Sequence, residues 1–294
     1  MGDVSQRASS AALPHPNPSP EGEGLKVRQA LATAAAQLAP VSATPRLDAE
    51  LLMAHALGIP REALLLAHLD APIPPAFAGL LARRLRHEPV AYITGTRAFW
   101  TIELAVGPGA LIPRPDSETL IEAALDHFAG RAPRTILDLG TGPGTLLLAA
   151  LDQWPQATGL GVDRSADALA MARANADRLG MAARARFVEG DWAAGVAGPF
   201  DLVLANPPYV GTAEELPPEV REHEPAGALY AGADGLDAYR AIVPDLARLV
   251  APGGVAILEI GHEQAEAVGA LVAGTGRSWS LRRDLAGRPR AIVA

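Results

Sequence analysis

The distribution of apolar residues over the second half of the chain predicts a parallel β-sheet wound with helices. Short apolar runs alternate with longer amphipathic stretches, as is typical of strand, helix and strand units joined by right-handed crossovers. The predicted strands cover 134–139, 157–163, 184–189, 200–205 and 254–260. Two further runs, near 278–284 and 289–293, are separated by a short connection and predict an antiparallel pair at one end of the sheet. The expected fold class is α/β, with a doubly wound, mostly parallel sheet whose last strands are antiparallel.

The N-terminal part of the chain has a helical period instead. From residue 25 to about residue 95, apolar residues recur at the spacing of one helix face, with Pro45 and Gly58 as start and stop signals. The predicted helices cover 25–39, 44–57, 61–68 and 75–87. Residues 1–24 repeat Pro and Gly with almost no apolar periodicity, which predicts a disordered tail.

A β-hairpin is predicted between these two patterns. Its strands, 99–106 and 110–112, flank Gly107-Pro108-Gly109, which is a typical turn sequence. The expected organisation is a tail (1–24), a helical domain (25–95), a hairpin linker (96–112) and an α/β domain (113–294).

Composition limits the possible functions. The chain has 294 residues, 49% of them hydrophobic and 20% charged, which is ordinary for a globular protein with room for two domains. It has no cysteine, and its seven histidines lack ligand spacing, so we expect no disulfide and no metal site. There is no signal pattern and no apolar run near the roughly 18 residues of a membrane helix, and the net charge is −8. We therefore expect a cytoplasmic protein that binds no membrane and has no direct contact with nucleic acid.

Three of the predicted strands end in residues suited to parts of one nucleotide-like ligand. The first leads into Gly140-Thr141-Gly142-Pro143-Gly144, whose glycines let the backbone approach a ligand closely. The dinucleotide fingerprint G-x-G-x-x-G would need glycine at Thr145, so nicotinamide and flavin are disfavoured. The second strand ends in Asp163, about 20 residues further on, where a carboxylate can accept from ribose hydroxyls. The third leads to Asp191 and Trp192, which can accept from an adenine amino group and pack on its ring. A purely structural, buried role is the alternative for Trp192.

The fourth strand stops abruptly in Asn206-Pro207-Pro208-Tyr209. Because proline fixes its own φ and keeps the preceding residue extended, this sequence predicts a rigid corner with fixed hydrogen-bond acceptors. The Asn206 side-chain carbonyl and the Pro207 backbone carbonyl can hold both N–H bonds of a planar NH2 group, while the Tyr209 ring packs against it. The alternative is a Pro-Pro turn that closes a surface loop.

These strand ends resemble those of class I S-adenosylmethionine-dependent methyltransferases, in which Asn-Pro-Pro-Tyr follows the fourth strand. Over about residues 25–294 the chain is similar to the bacterial peptide chain release factor glutamine methyltransferases. The stretches that carry this resemblance are Glu88–Gly95, Phe99-Trp100, Ile112–Glu118, Asn206–Tyr209, Asp234–Asp237 and Asp284–Arg288. The chain departs from the family pattern at Ser117, usually threonine, and at Pro143, usually serine.

The resemblance implies methyl transfer to the side-chain amide nitrogen of the glutamine in the Gly-Gly-Gln motif of class I release factors. The product would be N5-methylglutamine, with S-adenosylmethionine converted to S-adenosylhomocysteine. It also implies a Rossmann-like methyltransferase sheet, and we expect a monomer. The implied cofactor residues are Gly140, Thr141, Gly142, Pro143, Gly144, Asp163, Asp191, Trp192 and Asn206. The implied catalytic residues are Asn206, Pro207 and Tyr209, and those implied to touch the substrate are Asn206, Pro207, Pro208, Tyr209 and Arg114.

Several alternatives stay open at this point. Arg114, between two prolines, suits either a substrate contact or a linker salt bridge. The same acceptor corner serves glutamine methyltransferases of ribosomal proteins, and it also serves amino-methyltransferases of nucleic acid, whose target bases are flipped out of the stack. A cofactor-binding scaffold without catalysis would be expected to have a damaged acceptor corner. For the helical domain, we expect a second contact with the release factor, because one glutamine side chain offers too little surface for selection.

Overall fold

The computed structural model describes residues 26–294. The tail predicted over 1–24 lies outside these residues. The described chain forms two compact units, and the boundary between them falls between Leu81 and Ala82. The domain boundaries expected from sequence stay a prediction. Within residues 26–294, every helix is too short or too polar to cross a lipid bilayer.

The first unit is helical, as the apolar period predicts. Its helices are α1 (Val27–Leu38), α2 (Pro45–Leu57), α3 (Arg61–Ala67) and the first part of α4 (Phe77–Arg84). Proline at the first position of α2 suits the helix start, because its missing N–H has no helical partner there. The helix stops at Gly58, whose φ of 67° is left-handed and favours glycine. Leu31, Leu52 and Leu64 from the first three helices are fully buried.

The second unit contains a two-stranded and a seven-stranded sheet with further helices. Its elements are α5 (Val90–Thr94), β1 (Thr96–Phe99), β2 (Ile102–Ala105), α6 (Glu118–His127), β3 (Thr135–Leu139), α7 (Thr145–Gln153), β4 (Thr158–Asp163), α8 (Ala166–Arg178), β5 (Ala185–Glu189), β6 (Phe200–Ala205), α9 (Pro218–Arg221), α10 (Asp237–Ile242), α11 (Leu246–Leu249), β7 (Val250–Glu259), α12 (Ala265–Gly274), β8 (Ser280–Arg283) and β9 (Pro289–Val293).

The large sheet confirms the predicted fold class. Its strand order is β5-β4-β3-β6-β7-β9-β8, with the first five strands parallel and the last two pairings antiparallel. From β3 the chain winds outward through β4 and β5, then returns to the other side of β3 as β6. Such a reversal leaves a crevice outside the carboxyl ends of the strands, where doubly wound sheets bind ligands.

Both faces of the large sheet are covered, so its central strands are apolar on both sides. Along β6, Leu202 and Leu204 pack in a core with α6, α7 and α8, while Val203 and Ala205 pack in a second core with α10, α11 and α12. This alternation follows the two-residue period of a strand. A rigid platform with two packed faces therefore carries the loops that follow β3, β4, β6 and β7.

The small hairpin forms, but its predicted turn is wrong. Phe99 pairs with Ile102, so the chain reverses at Trp100-Thr101 and not at Gly107-Pro108-Gly109. The stretch 110–112, predicted as the second strand, has no strand structure. Trp100 adopts a φ of 53°, a left-handed conformation that a bulky residue rarely takes.

Hydrogen bonds to residues distant in sequence stabilise this turn. The Trp100 backbone N–H donates to the Glu118 carboxylate (2.8 Å), and its indole N–H donates to the Gln153 side chain (3.1 Å). The Thr101 hydroxyl donates to Asp152 at 2.6 Å. Because these partners come from α6 and α7, local turn statistics could not have indicated the turn.

Candidate active site at the carboxyl ends of the strands

The glycine-rich loop after β3 is held in left-handed conformations that favour glycine. Gly140, Gly142 and Gly144 have φ angles of 72°, 55° and 87°. The backbone N–H groups of Gly140 and Thr141 both donate to the Val162 carbonyl, at 2.9 and 3.0 Å. The loop is thereby fixed against β4, and α7 begins directly after Gly144.

Beneath this loop lies Asp138, a buried carboxylate to which sequence reasoning gave no role. One oxygen, Oδ2, accepts from the Thr141 hydroxyl at 2.7 Å and from the Leu147 backbone N–H at 3.3 Å. The other oxygen, Oδ1, is buried without a hydrogen-bond partner among the described residues. Burial raises the pKa of Asp138 to about 7, although the Thr141 hydroxyl opposes the shift. The available signal was an aspartate near the end of an otherwise apolar strand.

Asp163, at the end of β4, braces the same loop. Its two oxygens accept from the backbone N–H groups of Gly142 (2.8 Å) and Ser165 (2.9 Å). A carboxylate has about four acceptor positions, so Asp163 retains capacity for hydroxyl donors of a ligand. The predicted ribose residue therefore also shapes the glycine loop.

Trp192, after β5, lies against the glycine loop. A Cβ atom on Gly140 would lie only 3.1 Å from the indole Cζ3, so the close approach of ring and backbone, together with the positive φ of Gly140, favours glycine there. Trp192 has a φ of 49° and is partly exposed, as a ring that also contacts a ligand would be. Its neighbour Asp191 is exposed.

Two adjoining recesses bring together most of the predicted site residues. The larger recess is lined by Gly140, Gly142, Asp163, Asp191, Trp192, Asn206 and Pro208, among others. The smaller recess shares Gly140, Gly142 and Asn206 with it and adds Thr141, Pro143 and Arg114. Asn206 thus lies where the two recesses meet. Gly144, Pro207 and Tyr209 are not in the lining of either recess.

The Asn206 to Tyr209 corner is anchored by side chains from several elements. The Asn206 Nδ2 donates to the Ser117 hydroxyl oxygen at 3.1 Å. The Tyr209 hydroxyl donates to Glu259 at 3.5 Å, and the Tyr209 backbone carbonyl accepts from Gln264 at 3.0 Å. Burial raises the pKa of Tyr209 to about 12, so the hydroxyl is a donor and not a base near neutral pH.

Arg114, predicted as either a substrate contact or a linker salt bridge, forms an ion pair with Glu224 in the loop after α9. Glu224 is buried and also accepts from the Ile112 backbone N–H at 3.0 Å. Arg114 is still partly exposed and lines the smaller recess. The salt bridge is therefore present, and a contact of Arg114 with substrate stays a prediction.

Glu259, the last residue of β7, was missed by sequence reasoning. It is 1% exposed, and its Oε2 has no hydrogen-bond partner within residues 26–294. Burial raises the pKa of Glu259 to about 7, while the Ser117 hydroxyl and Arg290 act in the opposite direction. A lone acid in the apolar run 254–260 was the available signal.

The doubly wound sheet, its glycine loop and the corner after β6 define a methyltransferase. Residues 116–219 match the family model described as the methyltransferase small domain. A solved structure of a methyltransferase from Pyrococcus furiosus has the same fold, with a TM-score of 0.52 at 18% identity, covering 74% of this chain and 97% of that one.

Sequence comparison identifies one family within the methyltransferases. Residues 29–95 match the model of the PrmC N-terminal domain. The release factor glutamine methyltransferase of Rhodospirillum rubrum is 47% identical over 257 residues, covering 85% of this chain and 78% of that protein. The one from Caulobacter vibrioides is 43% identical over 257 residues, covering 85% and 89%. The chain belongs to the release factor glutamine methyltransferase family.

Proposed function

We propose that this protein transfers a methyl group from S-adenosylmethionine to the side-chain amide nitrogen of the glutamine in the Gly-Gly-Gln motif of class I release factors. The product is N5-methylglutamine. The observation that carries the proposal is the acceptor corner. Ser117 accepts from the Asn206 amide nitrogen, which leaves the Asn206 carbonyl oxygen available to a substrate N–H at the junction of the two recesses.

The residues of the two recesses fit S-adenosylmethionine. The unpartnered oxygen of Asp138 belongs to a residue that lines the smaller recess, and it is an acceptor suited to the ammonium group of a methionine moiety. Asp163 would accept from ribose hydroxyls, and Trp192 with Asp191 would contact the adenine. When bound, the cofactor supplies an electrophilic methyl group on a sulfonium and becomes S-adenosylhomocysteine.

The chain's own contribution to the reaction is to orient a poor nucleophile. The lone pair of an amide nitrogen is delocalised into its carbonyl group, which makes the nitrogen a poor nucleophile. Both N–H bonds therefore have to be held in one fixed orientation. The Asn206 side-chain carbonyl and the Pro207 backbone carbonyl accept hydrogen bonds from these two N–H groups. The Tyr209 ring packs on the amide plane. A strong general base is not needed, because the nitrogen loses a proton readily once it is methylated.

The test compares three kinds of macromolecule as acceptors of a labelled methyl group. Purified protein is incubated with methyl-labelled donor and a folded release factor, total ribosomal protein or DNA, and the modified atom is mapped by mass spectrometry. We expect one methyl group on the Gly-Gly-Gln glutamine, and none with the Asn206→Ala variant. Label confined to a ribosomal protein or to DNA would overturn the proposed substrate.

A further inference from the structure

Glu259 is next to the acceptor corner, although nothing in the reaction described above uses it. Ala205 pairs with Leu258 across β6 and β7, so Asn206 and Glu259 follow directly at the same level of the sheet. Ser117, just before α6, is also buried. It accepts from the Asn206 amide, and its hydroxyl lowers the pKa of Glu259, as a hydrogen bond to the anion would.

Hydrogen-bond chemistry gives this group of three residues a direction. The Asn206 nitrogen can only donate, so the Ser117 oxygen must accept from it. The single hydroxyl proton of Ser117 then has to donate elsewhere, and a carboxylate can only accept. The observed bond from Asn206 to Ser117 thus leaves the Ser117 proton free to be donated toward Glu259, whose pKa the Ser117 hydroxyl lowers.

We propose that the Glu259 carboxylate is a positioning residue, which fixes the direction of this chain of hydrogen bonds and so keeps the Asn206 carbonyl oxygen turned toward the substrate amide. This inference rests on the proposed function, because only an NH2 substrate needs an acceptor at that point. If Glu259 takes up a proton, it can donate to Ser117, and the chain can reverse. The Asn206 amide then presents its own NH2 group to the NH2 group of the substrate, where neither can accept.

The groups around Glu259 place this proton uptake near neutral pH. Burial raises the pKa of Glu259 to about 7, and Asp116, before α6, adds to the shift. Arg290 on β9 favours the anion and is held by Asp116 (2.9 Å) and Asp284 (3.3 Å). The Tyr209 hydroxyl donates to the Glu259 carboxylate at 3.5 Å, while the Tyr239 hydroxyl from α10 donates to the Glu259 backbone carbonyl at 2.7 Å. Because the anion is the competent form, kcat should rise with pH through about 7.

Nuclear magnetic resonance can follow the Asn206 amide without any substrate. The whole sequence contains only three asparagines, Asn17, Asn175 and Asn206, so selective 15N-asparagine labelling gives three side-chain NH2 signals. The Asn206 signal, assigned by its loss in Asn206→Ala, should shift with a midpoint near pH 7 in the wild type and stay constant in Glu259→Gln. Asn175 is an internal control, because its amide donates to the carbonyls of Ala105 and Pro143 at 3.0 Å each.

The kinetic test uses the folded release factor as substrate. In the wild type, kcat should fall about tenfold per pH unit below pH 7, as expected for one ionisation. Glu259→Gln should have a flat profile and a kcat at least about tenfold lower at pH 8, with unchanged donor affinity by calorimetry. Glu263→Gln, a highly exposed acid four residues along in the chain, is the matched control and should behave as the wild type.

Two further variants separate positioning from folding. Ser117→Ala removes the middle of the chain and should lower kcat as Glu259→Gln does, whereas Ser117→Thr keeps a hydroxyl and should recover most of that loss. The thermal midpoint of Glu259→Gln at pH 8 should be no lower than that of the wild type, because the variant lacks a buried anion.

An Asn206 signal that does not titrate, or a Glu259→Gln variant with the wild-type pH profile, overturns the inference. A wild type that titrates at Asn206 but methylates no release factor overturns the proposed function instead.

Discussion

Replacing Asp138 by asparagine should make the unliganded protein less sensitive to alkaline pH. Asp138 is buried beneath the glycine loop, and one of its oxygens lacks a hydrogen-bond partner among the described residues. Burial raises its pKa from 3.8 to about 7. A group whose pKa is higher in the folded than in the unfolded state contributes stability that is fully present below the unfolded pKa. That stability is lost as the pH rises through the folded pKa.

The size of the effect follows from the two pKa values. One pKa unit corresponds to about 1.36 kcal/mol, and the protonated form of Asp138 persists in the folded state up to about pH 7. Between pH 5 and pH 8 the folded protein therefore loses on the order of 3 kcal/mol of stability through this one carboxyl. Asparagine cannot ionise. The unpaired N–H groups that it introduces destabilise the fold equally at both pH values and cancel in the pH difference.

Tryptophan fluorescence during urea unfolding is a suitable assay. The chain has four tryptophans, at 100, 154, 192 and 279, and all of them belong to the unit that begins at Ala82. The signal therefore reports that unit alone, which makes the linear extrapolation of the free energy of unfolding more secure. The drop in this free energy from pH 5 to pH 8 should be about 3 kcal/mol smaller in Asp138→Asn than in the wild type.

Asp177→Asn, an exposed residue on α8, is the control for removing an aspartate charge and should keep the wild-type drop. Glu259, whose pKa burial also raises, is present in all three proteins, so its contribution cancels in the comparison. Equal drops in the wild type and Asp138→Asn would refute the reasoning, because Asp138 would then be ionised in the folded protein already at pH 5.

Two other predictions concern binding. Asp163→Ala should weaken binding of S-adenosylmethionine by roughly 1 to 3 kcal/mol in calorimetry, because it removes a ligand acceptor and also the brace on Gly142 and Ser165; unchanged affinity would contradict the ribose assignment. A short Gly-Gly-Gln peptide should have a much lower kcat/KM than a folded release factor, because we propose that the helical domain predicted over 25–95 supplies a second contact. Equal values would leave that domain with a structural role only.

The sequence predicted those parts of the site that are formed by short stretches of consecutive residues. The glycine loop, Asp163 and the Asn206 to Tyr209 corner each follow a short apolar strand, and parallel strands bring their carboxyl ends to one edge. Ser117, Asp138 and Glu259 escaped because their importance depends on burial and on partners elsewhere in the chain. Asn206 and Ser117 are 89 residues apart, and no local pattern indicates that they meet.

The hairpin error has the same physical origin. Trp100 and Thr101 have residue types that favour strands, whereas Gly107-Pro108-Gly109 has the composition of a turn. The turn nevertheless forms at Trp100, because Glu118 supplies an acceptor for its backbone N–H and Gln153 one for its indole. Tertiary contacts override local propensity where a residue finds partners that its neighbours in sequence cannot supply.

The two carboxylates that were not predicted from the sequence also make the site less stable than apolar side chains at the same positions would. Asp138 lies near the carboxyl end of β3 and Glu259 at the carboxyl end of β7, and these two strands flank β6. Each of the two carboxylates has a buried oxygen without a hydrogen-bond partner among the described residues. Packing alone would favour apolar residues at both positions, since a buried unpaired acceptor destabilises the fold. In the function proposed above, Asp138 would accept from the ammonium group of the cofactor, and Glu259 would hold the Asn206 amide toward the substrate. Asp138→Asn removes the carboxyl whose raised pKa costs stability as the pH rises to about 7, and we expect the same variant to bind S-adenosylmethionine more weakly.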